Sequence, residues 1–147
     1  MNPAIALIKK FESCKLAAYK CPAGKDTIGY GHTGPDVHPG LTITQQQADA
    51  LLAADLKKFS DGVDALVTVP INSNQRGALI CFAYNVGLGI GAITPVGLKH
   101  STLLRKVNAG DHAGAAEQFS RWDLAAGKVL PGLVKRRAAE AALYREA

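Results

Sequence analysis

Glu12, Cys21 and Thr27 are the residues whose types and spacing could carry chemistry, with eight and then five residues between them. A carboxyl group can give up a proton, a thiol can accept a hydrogen bond or ionise, and a hydroxyl can hold a water molecule. Such a set suits acid–base work on an activated water. The stretch around them, Phe11 to Thr33, holds a Glu at the end of a helix-like run, a Pro-Ala-Gly-Lys turn, and a glycine-punctuated strand ending at His32. The three cysteines, Cys14, Cys21 and Cys81, have no metal-ligand spacing, and neither a metal nor a cofactor is expected. Cys81 lies among Ala78, Leu79, Ile80 and Phe82 and reads as a small core residue.

The elements around the three residues must place them. Asn2-Pro3 is a helix opening, with Asn as cap and Pro in the first turn. Ala4, Ile5, Leu7, Ile8 and Phe11 follow at helical spacing, which predicts Glu12 in the last turn. Carbonyls at a helix end and partial burial disfavour a charged carboxylate there, whereas Lys9, Lys10 and Lys15 favour it. Leu16–Tyr19 predicts a strand, Pro22–Lys25 a turn, and Thr27–Gly31 a return strand. Strand alternation then sets Thr27, Gly29 and Gly31 on one face and Ile28, Tyr30 and His32 on the other. Two glycines in line with a hydroxyl leave a bare wall for a ligand, so Gly29, Tyr30 and Gly31 are the expected substrate-binding residues.

The pattern Glu, eight residues, Cys, five residues, Thr, followed by Ile28-Gly-Tyr-Gly-His-Thr33, resembles that of the phage-type lysozymes and endolysins of glycoside hydrolase family 24. The resemblance continues through Phe82–Gly87, Ser101–Leu104 and Gly127–Val134, and so covers nearly the whole chain. It implies Glu12 as general acid, Cys21 where many members carry Asp, and Thr27 completing the triad. It also sets His32 against Asp55 as a structural pair, outside catalysis. A thiol is a different acid and a weaker acceptor than a carboxylate, so Cys21 can be a base, a water ligand or an inert spacer.

At 147 residues, 48% hydrophobic and 20% charged, the chain reads as one soluble folding unit. The expected fold is α+β and lysozyme-like, mostly helical, with a small antiparallel hairpin or sheet in an N-terminal lobe. That small lobe is expected at about 13–60, and a helical lobe at about 1–12 and 61–147. Thr44, with Gln47 three residues on, predicts a capping box and a helix to about Leu66; by resemblance this helix joins the two lobes and makes a groove between them. Further helices are expected from Asn72 to Asn85, from Ser101 to Gly110, from Ala113 to Trp122, and from Pro131 or Gly132 to Tyr144, with a loop at Leu88–Leu98. In the last helix Leu133, Val134, Ala138, Ala141 and Ala142 are the expected inner positions, and Lys135, Arg136 and Arg137 are expected in solvent.

Charge is uneven: five Lys oppose Glu12 in residues 1–25, and six Asp oppose Lys57 and Lys58 in residues 26–66. Four of those Asp fall on the long helix and read as solvated. The net charge of +5 suits encounter with an anionic surface, with no nucleic-acid motif and no stable membrane insertion. The N-terminus reads as lacking a signal peptide and the signal-anchor that some members of the resembled family carry. The resemblance implies release through a holin and attack on peptidoglycan in the periplasm; synthesis in the host cytoplasm favours free thiols over a Cys14–Cys21 bridge, and a monomer is the default.

Three activities fit these residues. Hydrolysis of the β-1,4 bond between N-acetylmuramic acid and N-acetylglucosamine would use Glu12 and a water held near Cys21 and Thr27. By resemblance it inverts the anomeric centre, which needs roughly 6.5–9.5 Å between acid and base. A lytic transglycosylase needs the acid without an attacking water. A non-catalytic wall-binding module needs neither.

Overall fold

The computed structural model describes residues 2–21, 24–90, 96–125 and 128–146. The fold is α+β, with long helices and a small antiparallel sheet. By its contacts the chain divides into two compact units, residues 8–58 and residues 1–7 with 59–147.

The 8–58 unit is built on α1 (Pro3–Phe11), a sheet of β1 (Lys15–Lys20), β2 (Asp26–Gly29) and β3 (His32–Thr33), and the first part of α2 (Gln45–Leu66). The strands lie in the order β1-β2-β3 and are antiparallel throughout. Tyr19 pairs with Thr27 and Lys20 with Asp26, with an irregularity between Lys15 and Tyr19. The other edge of β1 is covered by residues 41–43, through Ala18 N–H to Leu41 C=O and Ile43 N–H to Leu16 C=O, both 2.9 Å. Ile8, Ile28, Val37, Ala48, Leu52 and Leu56 form the core of this unit. The Pro22–Lys25 turn is described only at Gly24 and Lys25, because Pro22 and Ala23 lie outside the described residues.

The return strand is shorter than the Thr27–Gly31 expectation. β2 ends at Gly29, Tyr30-Gly31 is a turn, and His32 lies on β3 paired with Ile28. Both flanking glycines have positive φ, +65° at Gly29 and +85° at Gly31. Only glycine adopts that conformation readily, so these residues reverse the chain instead of extending it.

Helix ends follow their caps. Asn2 Oδ1 accepts from Ala4 N–H at 2.9 Å, and Thr44 and Gln47 exchange hydrogen bonds of 3.1 and 2.8 Å in a capping box at α2. Asn72 and Gln75 do the same at α3 (Ser73–Val86), which stops at Gly87 with φ +102°. Ser101 caps α4 (Thr102–Asn108) and Asp111 caps α5 (His112–Gln118), followed by a 3₁₀ segment at Phe119–Trp122. A two-residue hairpin, β4 (Leu124–Ala125) with β5 (Lys128–Val129), precedes α6 (Pro131–Arg145). Of the Leu88–Leu98 loop, residues 91–95 lie outside the described residues, and Leu98 opens a 3₁₀ turn to His100. Gly127 of the Gly127–Val134 motif also lies outside them.

The core of the larger unit centres on α3, where Gly77 to Ala83 are all buried. Phe82 meets Phe119 and Trp122 edge-on, with centroids 5.7 and 5.4 Å apart. Cys81 is fully buried there, and burial pushes its thiol pKa up. The α6 expectation is corrected: Arg136 and Arg137 are 3% and 1% exposed, whereas Val134, Ala138 and Ala142 face outward. Both guanidinium groups are held inside by specific partners. Arg136 Nη2 donates to Cys81 C=O (3.1 Å) and Nε to Glu140 Oε2 (3.3 Å). Arg137 Nη2 donates to Asn85 Oδ1 (3.0 Å) and Glu140 Oε2 (3.1 Å), and its guanidinium lies over the Phe82 ring. Glu140 itself is fully buried.

The acidic residues of α2 are paired as well as solvated. Asp49 meets Lys9 at 3.4 Å, Asp64 takes a bidentate contact from Arg76 at 2.8 and 2.9 Å, and Asp55 meets His32.

Candidate active site

Glu12 stands one residue beyond α1, its N–H still donating to Ile8 C=O at 2.7 Å. It is partly buried and lies in the 8–58 unit, together with Cys21 and Thr27. The reason lies in what holds the end of α1. Ile8 is fully buried, Lys9 reaches Asp49, and the Lys9 ammonium lies over the Tyr30 ring at 5.4 Å. Gln45 completes this support, donating to the Tyr30 hydroxyl and to Asp49, both at 3.1 Å, while the Cys14 thiol donates to Gln45 Oε1 at 3.7 Å.

Cys21 and Thr27 are fixed through one backbone carbonyl. Lys25 C=O accepts from Cys21 N–H at 2.9 Å and from the Thr27 hydroxyl at 3.0 Å. Thr27 is 3% exposed, Cys21 is partly exposed, and Cys14, Cys21 and Cys81 are all free thiols. Because its hydroxyl proton goes to Lys25, Thr27 Oγ1 is left as an acceptor for a water proton.

Tyr19 was not singled out in the sequence. It pairs across the ladder with Thr27, so the two side chains share a sheet face. Burial, then the charge on Glu12, then that on Cys21, raise its pKa above the ordinary tyrosine value. Tyr19 therefore lies within electrostatic reach of both residues, and its hydroxyl is a neutral donor at working pH. The only signal for it in the sequence is the two-residue spacing from Cys21.

The expected substrate-binding residues divide differently. A Cβ on Gly29 would lie 3.6 Å from the Ala48 side chain and 3.8 Å from Ile43, so Gly29 is the seat of α2 on the sheet and not an open wall. Tyr30 is 9% exposed with its hydroxyl engaged by Gln45, a support for the end of α1. Gly31 supplies the turn.

His32 shares its sheet face with Ile28, opposite Thr27. Its Nδ1 lies 2.7 Å from Asp55 Oδ2, and its Nε2 lies 3.0 and 3.2 Å from the two oxygens of Asp36. Asp36 was missed because it sits in a loop, although its spacing of four from His32 was visible. Both ring nitrogens face carboxylates, an arrangement that the doubly protonated imidazolium satisfies. Burial alone would lower the His32 pKa, but the hydrogen bonds and charges of Asp55 and Asp36 outweigh it and raise it. The His32 contact holds the Asp36 carboxyl below its usual value. The raised His32 contributes stability below the unfolded pKa of about 6.5, and loses it as pH rises through the folded value. The lowered Asp36 contributes above about 3.9 and loses it as pH falls through its own folded value. His32→Asn is therefore expected to lower the melting temperature most between about pH 4 and 6.5 and least at mildly alkaline pH. A melting-temperature deficit independent of pH would contradict the clamp.

Among the described residues no three His, Cys, Asp or Glu side chains form a metal-binding group, and no helix is long and apolar enough to cross a membrane.

The chain matches the family model described as phage lysozyme over residues 9–140. It is 40% identical over 147 residues to the endolysin of Acyrthosiphon pisum secondary endosymbiont phage 1, a match covering 97% of this chain and 95% of that protein. To the endolysin of Bacillus phage B103 it is 49% identical over 142 residues, 95% of this chain and 51% of that protein. The chain thus spans about half the length of the two Bacillus phage relatives it matches. Among solved structures, the muramidase domain of SpmX from Asticaccaulis excentricus superposes with a TM-score of 0.88 at 34% identity, covering 100% of this chain and 97% of that one.

Proposed function

The chain belongs to the phage lysozyme family, and we propose that it is a peptidoglycan-degrading endolysin, a glycoside hydrolase that cleaves the β-1,4 bond between N-acetylmuramic acid and N-acetylglucosamine. One observation carries the reading. In the 8–58 unit Cys21 N–H and the Thr27 hydroxyl share the Lys25 carbonyl, and Tyr19, the cross-strand partner of Thr27, has its pKa raised by burial and by the charge on Glu12.

Glu12 protonates the glycosidic oxygen as the bond to the sugar carbon breaks. A water attacks that carbon from the opposite face, giving an inverted product. Thr27 Oγ1 accepts one proton of that water, since its own goes to Lys25 C=O. Cys21, acting as its thiolate, is the second acceptor and takes up the proton that the attacking water loses, later returning it to solvent. Clearing of outer-membrane-permeabilised Gram-negative cells tests the activity, and product masses test the chemistry. Reducing sugars carrying an added water support hydrolysis; anhydro-sugars point to a lytic transglycosylase, and no release at all to a binding module.

The Cys21 role has its own series. Cys21→Asp is expected to stay active, Cys21→Ala to fall about a hundredfold or more, as for loss of a proton acceptor, and Cys21→Ser to lie between. Full activity in Cys21→Ala removes Cys21 from the mechanism. Loss of wild-type activity on adding a reductant would instead reveal a Cys14–Cys21 disulfide in the working enzyme. Passage to the wall through a membrane opened by a holin, and action as a monomer, belong to the same reading.

A further inference from the structure

Tyr19 carries a hydroxyl that the fold does not use. It is 38% exposed, and among the described residues its hydroxyl has no hydrogen-bond partner. Thr27 is its partner across the ladder, and Cys21 follows it by two residues, so alternation sets all three side chains on one face of the sheet. Lys20 and Asp26, the next pair along, fall on the other face, where they meet each other at 2.9 Å. We propose that Tyr19 is a further catalytic residue, whose hydroxyl donates to the attacking water and leaves that water a single free lone pair for the sugar carbon; the proposal rests on the hydrolase reading above.

A count of the water's own bonds shows the need for such a donor. A water has two protons to give and two lone pairs to offer. Its protons go to the Cys21 thiolate and to Thr27 Oγ1, whose own proton is spent on Lys25 C=O at 3.0 Å. One lone pair forms the new bond to carbon. With nothing on the other, the water can rock about the line through its two protons and swing the attacking lone pair off the carbon. A donor at the fourth place stops that motion. Tyr19 stands directly opposite Thr27 and next to Cys21 on the same face, within the reach of an aromatic side chain.

The phenol keeps its proton throughout. Burial, the charge on Glu12 and the charge on Cys21 all hold it above its ordinary pKa, so it stays a donor wherever a carboxylic acid and a thiolate can work together. As the water oxygen bonds to the sugar carbon, Cys21 takes the water's proton and Glu12 gives its own to the departing glycosidic oxygen. The Tyr19 O–H bond neither forms nor breaks.

Tyr19→Phe removes the hydroxyl alone. On soluble peptidoglycan fragments it is expected to lower kcat about threefold to tenfold, the net worth of one hydrogen bond, with KM and melting temperature near wild type. A wild-type kcat overturns this role and leaves the hydrolase intact. A raised KM at unchanged kcat would make Tyr19 a sugar contact instead, and a lowered melting temperature would give its hydroxyl to the fold; either result overturns the proposal. A second measurement needs no activity. Spectrophotometric titration of the tyrosines is expected to show one of them ionising at lower pH in Glu12→Gln and in Cys21→Ser than in the wild type, because each change removes a negative charge that acts on Tyr19. An unchanged titration in both variants takes the Tyr19 hydroxyl out of the site. A wild-type protein that releases no reducing ends overturns the hydrolase reading, and this role with it.

Discussion

Glu12→Gln is expected to lower the rate of wall clearing by about a hundredfold to ten-thousandfold, the usual contribution of a general acid. Gln keeps the size of the side chain and its ability to hydrogen-bond, and removes only the dissociable proton. The backbone bond from residue 12 to Ile8 C=O does not involve the side chain, and Ile8, Lys9 and Tyr30 hold the end of α1 without it. The melting temperature should therefore stay near wild type. A folded Glu12→Gln protein that clears walls at close to the wild-type rate would remove Glu12 from the mechanism, and with it the hydrolase assignment of this site.

Glu140→Gln is expected to cost about 3–5 kcal/mol of stability, the range for removing one partner of a buried ion pair. Arg136 and Arg137 are 3% and 1% exposed and Glu140 is fully buried. Burial pushes the Glu140 carboxyl up and the Arg137 guanidinium down; Arg137, Cys81 and Arg136 oppose the first effect, and the charge on Glu140 is the main opponent of the second. Arg137 Nε lies 2.8 Å from Glu140 Oε1 in an ion pair that lacks the angle of a hydrogen bond. Arg137 Nη1 has no hydrogen-bond partner among the described residues. With the carboxylate gone, two guanidinium groups remain inside without their counter-charge, although Asn85, the Cys81 carbonyl and the Phe82 ring still contact them. Urea denaturation measures the loss. A change below about 1 kcal/mol, the scale of an exposed pair, would show that the cluster is hydrated instead of buried.

That cluster also marks where the sequence was hardest to read. Arg136 and Arg137 carry formal charge on a helix whose apolar positions are small alanines, so a charge-in-solvent rule turns α6 the wrong way round. Their burial depends on Glu140 one turn on and on Asn85 and Cys81 of α3, partners that helical periodicity cannot reveal. Local signals fared differently. Thr44 with Gln47 and Asn72 with Gln75 each satisfy backbone groups within four residues, so their helix starts were legible. In the site, the Glu12–Cys21–Thr27 spacing was visible, and so was His32. What alternation could not show was the reversal at Gly29 and Gly31, because positive φ leaves no trace in polarity. The facing of Gly29 toward Ala48 and the engagement of Tyr30 by Gln45 follow from that reversal and from the position of α2. Tyr19 stayed hidden because its importance comes from a partner across the ladder.

The division of the chain has a bearing on synthesis. Residues 8–58 are contiguous, so every contact inside that unit can close while the rest of the polypeptide is still being made. The other unit is interrupted: its first seven residues emerge early but find their partners only after the intervening segment has appeared. Gly77 shows what they wait for. A Cβ there would lie 3.0 Å from the Pro3 side chain and 3.2 Å from the Ala4 backbone nitrogen, so the start of α1 packs directly on α3. Ala4, fully buried in the finished protein, is thus a long-range contact whose closure must bear the loop entropy of everything between. The order of assembly on the ribosome is therefore written into the interleaving of the two units: the segment bearing Glu12, Cys21 and Thr27 can take shape first, and the N-terminal turn is among the last pieces to lock.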